Sequence, residues 1–158
     1  MFANANQTKE LIHFGNDSVV IKKYISGIEG GRTLDMSGYP LANVLSGSVV
    51  ILKADGEYAP MPLVQKTTNT GTTDEPVMTP QFDGEGNPVY VYGTLPEGAK
   101  YVGVCYRSVS ASNPQCSIMF DGIVNEAIMP FGVETIKSEF SAACPHIIFA
   151  VDLDGVAK

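Results

Sequence analysis

The chain has 158 residues, which is enough for one domain to bury a substantial core without disulfides or metal ions. Seventeen acidic and ten basic residues give a formal net charge of −7, and 44% of the residues are hydrophobic. This apolar content excludes an intrinsically disordered chain. The few dispersed basic residues exclude a surface that binds nucleic acid and disfavour an anionic membrane, so neither is expected as a partner.

The N-terminal residues 1–17 are mostly polar and are predicted to form a mobile arm. Residues 18–158 are predicted to form a single β-rich domain. The arm nevertheless carries four apolar side chains, Phe2, Leu11, Ile12 and Phe14.

Two strand regions are predicted in the first half of the domain. Residues 18–25, SVVIKKYI, are rich in β-branched side chains, which favour strands. Residues 46–52 form the first arm of a predicted hairpin, because Asp55-Gly56 follows them and this dipeptide favours a tight turn. The return arm contains Pro60 and Pro62, which cannot donate to a ladder, so it is predicted to lie at a sheet edge.

Residues 65–88 are predicted to form a long exposed loop. Five of the seven residues from 67 to 73 are threonine, and prolines 76, 80 and 88 interrupt any ladder. Loops of this length are usually functional or disordered.

The second half alternates strands with one helix. Residues 89–93 and 101–110 are predicted strands, whereas residues 116–130 are read in two ways, as a hairpin turning at Asp121-Gly122 or as one strand with a bulge at Gly122. Residues 133–143 are the one predicted helix, followed by a strand at 146–151. The apolar stripe of this helix comprises Val133, Ile136, Phe140 and Ala143, and Glu134 lies in its first turn.

These elements predict a β-rich α+β fold, which is a small β-sandwich or barrel-like domain with one short helix near the C-terminus. The sequence offers little chemistry. Cys105, Cys116 and Cys144 form no C-x-x-C pair and are predicted to be reduced thiols of a protein made in the cytoplasm. No metal ligand, cofactor-binding residue or catalytic residue is predicted. The alternative hypothesis is a small cysteine-dependent enzyme that uses Cys144 and His146.

The order of these motifs resembles that of the head decoration and head-fiber proteins of tailed bacteriophages. Residues 41–63 resemble the family's early Asp-Gly-Xaa-Tyr hairpin, and residues 96–124 resemble its next block, with a Val-Gly-Val strand at 102–104 and a Gly-Xaa-Val step at 122–124. The helix at 133–143 and the strand HIIFAV at 146–151 resemble the family's ending. The chain departs from that pattern in its Thr-rich stretch and in His146, where a glycine is expected.

The resemblance implies a structural protein of the virion with no enzymatic activity. Such proteins decorate the outer capsid surface, commonly as trimers that bind and clamp the major capsid protein. The resemblance implies that the arm orders on docking, and its apolar residues Phe2, Leu11, Ile12 and Phe14 are then the expected capsid contacts. The alternative within the same family is the base domain of a head fiber or a host-binding appendage. The resemblance also favours one continuous strand through Gly122.

Overall fold

The computed structural model describes residues 17–150, so most of the predicted arm, including Phe2, Leu11, Ile12 and Phe14, lies outside the described residues. Within these described residues there are two helices, α1 (Asp17–Val20) and α2 (Lys137–Ala143), with a 3-10 turn at Glu126–Ile128. Fourteen short strands make up the rest of the regular structure of this part of the chain. They are β1 (Ile21–Gly27), β2 (Arg32–Thr33), β3 (Asn43–Val44), β4 (Val49–Leu52), β5 (Tyr58–Pro60), β6 (Leu63–Gln65), β7 (Thr67–Asn69), β8 (Met78–Pro80), β9 (Tyr90–Tyr92), β10 (Lys100–Cys105), β11 (Val109–Ser110), β12 (Gln115–Cys116), β13 (Ile118–Asn125) and β14 (Ile147–Ala150).

A six-stranded sheet forms the centre of the fold. Five of its strands lie in the order β1-β13-β10-β4-β5 and pair antiparallel. The sixth, β14, runs parallel to β13 and pairs with its second half, while β10 pairs with the first half. β13 therefore holds three strands, one along its whole length and two in succession along its other edge.

The central strands bury side chains on both faces of this sheet. In β4, Val49 belongs to the larger core and its neighbour Val50 to the smaller core. In β10, Val104 and Cys105 divide in the same way. Because successive side chains of a strand point to opposite faces, the sheet must be covered by protein on both sides.

Two sets of elements provide that cover. The larger core includes Phe140 of α2 and Tyr92 of β9, whose hydroxyl accepts a hydrogen bond from the Val49 backbone N–H at 3.0 Å. The smaller core includes Val44 and Cys116, which belong to the two-stranded ribbons β11-β3 and β12-β2. The described residues thus form a layered, β-rich domain with one short helix near its C-terminal end, as predicted. Its sheets do not close into a barrel, so of the two predicted architectures the fold resembles a sandwich.

The predicted hairpin of the first half is confirmed. β4 and β5 pair antiparallel, and the Lys53 backbone N–H donates to the Glu57 carbonyl at 2.8 Å across the turn. Gly56 has a φ of +89°, which the Asp-Gly sequence anticipated. β5 ends the strand order of the main sheet, as its prolines predicted.

The structure also decides between the two interpretations of residues 116–130. β13 runs without interruption through Gly122, and its pairing with β1 shifts register on either side of this glycine. A side chain at Gly122 would meet the Lys23 carbonyl of β1. The continuous strand is therefore correct, and the glycine permits the close approach of β1.

Three predicted elements differ most from the structure. The strand predicted at 101–110 is divided into β10 in the main sheet and β11, which pairs with β3 instead. The strand predicted at 18–25 begins only at Ile21, because the residues before it form the helical turn α1. The helix predicted at 133–143 begins only at Lys137, so Glu134 precedes it rather than lying in its first turn. Ile136 at the N-cap provides no side-chain hydrogen bond to extend the helix backward. Val133, Ile136 and Phe140 are nevertheless buried, whereas Ala143 is exposed.

Truncation of Phe140 tests the larger core. Its fully buried ring makes edge contacts with Tyr101 and tilted contacts with Phe149, with centroids 5.5 and 5.8 Å away. We expect Phe140→Ala to lower the free energy of unfolding by about 3–5 kcal/mol because it leaves a cavity. Phe82→Ala removes the same ring from a site that is 58% exposed and should change it by less than about 0.5 kcal/mol. Urea unfolding of both variants checks this, and equal losses would contradict the assigned core.

Candidate functional site

The outermost strand of the main sheet exposes apolar side chains. On β1, Tyr24 is 45% and Ile25 is 52% exposed, and Val19 in α1 is 50% exposed. Among the described strands β1 pairs only with β13, so its outer edge has no strand beside it in this part of the chain. We call this edge, with Val19, Tyr24 and Ile25, the β1 edge region. An exposed apolar edge strand is a surface to which another chain can add a strand.

The neighbouring strands hold the β1 edge region in place and extend its apolar surface. The Tyr24 ring packs against Tyr106, with centroids 4.8 Å apart. On the strands beside it, Phe120 of β13 is 40% and Ile148 of β14 is 55% exposed. Exposed apolar residues are therefore present on three hydrogen-bonded strands at one end of the main sheet.

A second exposed surface lies in the segment that was predicted to be a long loop. Within residues 65–88, strands β7 and β8 pair as a hairpin, and Asn69 Oδ1 accepts hydrogen bonds from the backbone N–H groups of Gly71 and Val77 at 2.9 and 3.0 Å. We call residues 67–88 the Thr-rich ribbon. It is exposed, as predicted, but the prediction that its prolines prevent a ladder was wrong, because Pro76 lies between the two strands and Pro80 ends β8. The ribbon presents Val77, Met78 and Phe82, each more than half exposed.

A cavity of about 410 Å³ lies beside the β4–β5 hairpin. Its lining combines apolar residues such as Ile51 and Pro62 with charged residues, among them Asp35, Lys53 and Glu97. This volume falls within the range of pockets that accept small molecules.

Three charged residues that line this cavity, Asp35, Lys53 and Asp55, form a cluster with Glu57 that is centred on Lys53. The Lys53 Nζ lies 2.7 Å from Asp35, 2.9 Å from Asp55 and 3.1 Å from Glu57. The hydrogen bond from Lys53, assisted by those from Ser37, holds the pKa of Asp35 well below its usual range. The hydrogen bond to Asp35 likewise raises the pKa of Lys53. One ammonium among three carboxylates leaves the cluster with an excess of negative charge.

The depressed pKa of Asp35 gives its contribution to stability a defined pH dependence. The charged carboxylate favours the folded state at pH values above its ordinary pKa of about 3.9. That contribution is lost as the pH falls from this value through the lower pKa of the folded chain. The Lys53 cluster is therefore a structural feature that acid weakens.

The cysteine and histidine of the alternative enzymatic hypothesis lie in different environments. Cys144 is only 7% exposed, and burial raises the pKa of its thiol to about 11. His146 is exposed. A reactive cysteine requires a lowered pKa and access to solvent. Cys144 has neither property, because its thiol is buried and its pKa is raised.

Within residues 17–150, no group of three or more His, Cys, Asp or Glu side chains is arranged to hold a metal ion. In the same range, no helix has the length and apolar character needed to cross a membrane. The acidic turn at 83–87 is built by Asp83, whose carboxylate accepts the backbone N–H groups of Glu85 and Asn87 at 2.9 and 2.8 Å.

The predicted contact residues Phe2, Leu11, Ile12 and Phe14 lie outside the described residues, so their role stays a prediction. Sequence reasoning did not identify the β1 edge region. The sequence SVVIKKYI was recognised as a strand, but the position of a strand in its sheet depends on pairing partners more than 90 residues away. The two consecutive lysines before Tyr24 were the available signal, because charged residues are common on edge strands.

Comparisons with known proteins identify no relative: no family model, no curated protein and no solved structure matches the chain. The surfaces described above and the order of motifs in the sequence are the features that indicate function.

Replacement of Lys53 tests the electrostatics of its cluster. We expect Lys53→Gln to raise the pKa of Asp35 toward the ordinary value, because the principal hydrogen-bond donor to the carboxylate loses its charge. Lys137→Gln is a matched control, since Lys137 bonds Glu126 at 2.7 Å and not Asp35. NMR titration of the carboxyl groups measures the pKa of Asp35 directly. An unchanged value in Lys53→Gln would contradict the assigned pairing.

Proposed function

We propose that this chain is a structural protein of a tailed-bacteriophage virion that decorates the outer capsid surface by binding major capsid protein subunits, as a trimer. The observation that carries the proposal is the β1 edge region. It combines an outer strand edge with exposed apolar side chains, and it follows directly on the sequence that contains Phe2, Leu11, Ile12 and Phe14. The sequence resemblance to decoration proteins supports the same function.

A trimer suits a surface of this modest size. An edge strand and a few apolar side chains provide a weak single contact, but three linked copies bind with a much higher effective affinity. The negative net charge of the chain is compatible with a position outside the shell, away from packaged DNA.

The properties of Cys144 also favour a structural role over the enzymatic alternative. A thiol whose pKa is raised to about 11 is protonated at neutral pH and is a poor nucleophile. The proposal therefore assigns no catalytic residue, no cofactor and no metal ion.

Binding to expanded capsids that lack this protein tests the proposal. We expect saturable co-sedimentation of the wild-type chain, and at least a tenfold weaker affinity for Val19→Ser/Ile25→Ser, because each buried aliphatic side chain contributes about 1.5–3 kcal/mol. Substituting serine for Phe2, Leu11, Ile12 and Phe14 together should weaken binding similarly. Val77→Ser/Met78→Ser is the control, since it removes equally exposed residues from the Thr-rich ribbon.

Wild-type chain that fails to bind expanded capsids would refute the decoration function, and edge variants that bind like wild type would refute the assigned surface. Circular dichroism of each variant confirms that it is folded.

The base of a head fiber or host-binding appendage is the second candidate, and the Thr-rich ribbon favours it. This ribbon projects three apolar side chains into solvent, Val77, Met78 and Phe82. Quantitative mass spectrometry of virions separates the two functions. A copy number near that of the major capsid protein supports decoration, and one far below it, with adsorption lost in the ribbon variant, supports the appendage.

A further inference from the structure

We infer that Cys105 and Cys116 are a pair of thiols already positioned to form a disulfide, and that oxidation joins them by this bond inside the smaller core. This inference is independent of the proposed function, because it depends only on the placement of two side chains.

The two cysteines meet because of the pairing of their strands. Cys105 ends β10 and lies opposite Ile118 of β13, and the Tyr106 backbone N–H donates to the Ser117 carbonyl at 2.8 Å. Cys116 precedes Ile118 by two residues, so the alternation of side chains brings it to the same face as Ile118 and Cys105. All three belong to the smaller core.

Their sulfur atoms are in direct contact. The Cys105 Sγ and Cys116 Sγ atoms are 2.8 Å apart, which is within about 1 Å of the length of a disulfide bond. The thiol of Cys116 donates toward the Cys105 sulfur, and the thiol of Cys105 donates to the Arg107 carbonyl at 2.9 Å. The reduced pair is thus accommodated, and little movement separates it from the cross-linked form.

The third cysteine provides an internal contrast. Cys144 is buried in the larger core, on the opposite face of the main sheet from Cys105. Its thiol and theirs are therefore separated by the sheet itself, and only one intramolecular pairing is compatible with the native fold.

The cross-link would join parts of the chain that short ribbons now hold. Cys116 belongs to β12, which pairs with β2, and the segment between the cysteines contains β11, which pairs with β3. A bond between Cys105 and Cys116 closes this segment into a loop anchored on β10. It thereby attaches the layer that covers the smaller core to the main sheet by a covalent bond.

The reaction requires a two-electron oxidant, and hydrogen peroxide is small enough to reach a buried thiol during local opening. Peroxide oxidises one thiol to a sulfenic acid and is reduced to water. The second thiol then attacks this sulfur, the S–O bond breaks, an S–S bond forms, and a second water leaves. The chain loses two hydrogen atoms overall.

To test this inference, the full chain is treated with hydrogen peroxide at urea concentrations below the unfolding midpoint. Its remaining free cysteines are then alkylated under denaturing conditions. We expect one alkylated cysteine instead of three, a mass lower by two hydrogen atoms before alkylation, and a peptide that links Cys105 to Cys116. Dithiothreitol should restore three alkylated cysteines. Cys144→Ala should form the same cross-link, whereas Cys105→Ala and Cys116→Ala should each retain two alkylated cysteines.

Oxidation should also shift the urea midpoint upward in the wild type and in Cys144→Ala, because the cross-link restricts the unfolded chain. Three alkylated cysteines after peroxide treatment, a cross-link that includes Cys144, or a cross-link that lowers the midpoint would each overturn the inference. The peptide map of the wild-type chain decides the matter even where a variant fails to fold.

Discussion

The burial of β4 and β10 on both faces is the constraint on which the rest of the structure depends. A sheet with apolar side chains on both sides is stable only when each side is covered. Val49 and Val104 require the layer that includes α2 and the β6-β9 ribbon, whereas Val50 and Cys105 require the two short ribbons on the opposite face. The many two-residue strands of this chain are the cover for one face of its central sheet.

The close approach of two neighbouring strands explains why one glycine lies in β10. A side chain at Gly103 would collide with the backbone carbonyl of Met119 in β13. β10 can therefore approach β13 closely only through a residue that has no Cβ. The Val-Gly-Val sequence that contributes to the resemblance with decoration proteins thus has a local packing reason, whatever the ancestry of the chain.

The sequence predicted the local features of this fold better than the long-range ones. The Asp-Gly turn, the proline-bearing edge strand and the β-rich class were predictable, because each depends on neighbouring residues. The predicted start of α2 was wrong. The spacing of Val133 and Ile136 fits a helix, but both side chains are buried in the core although they precede the helix. The β1 edge region was missed, because edges are defined by the whole sheet. The contact residues predicted before Asp17 stay predictions.

The parallel pairing of β14 with β13 has a consequence for biosynthesis. β13 must receive β1 from the beginning of the described chain and β14 from its end, with 119 residues lying between Gly27 and Ile147. While the ribosome is still translating the region before β14, one edge of the second half of β13 lacks the strand that pairs with it in the complete fold, namely β14. A nascent chain in this condition cannot complete its sheet, so folding is delayed until synthesis passes Ala150. The fold thus couples completion of the main sheet to synthesis of β14.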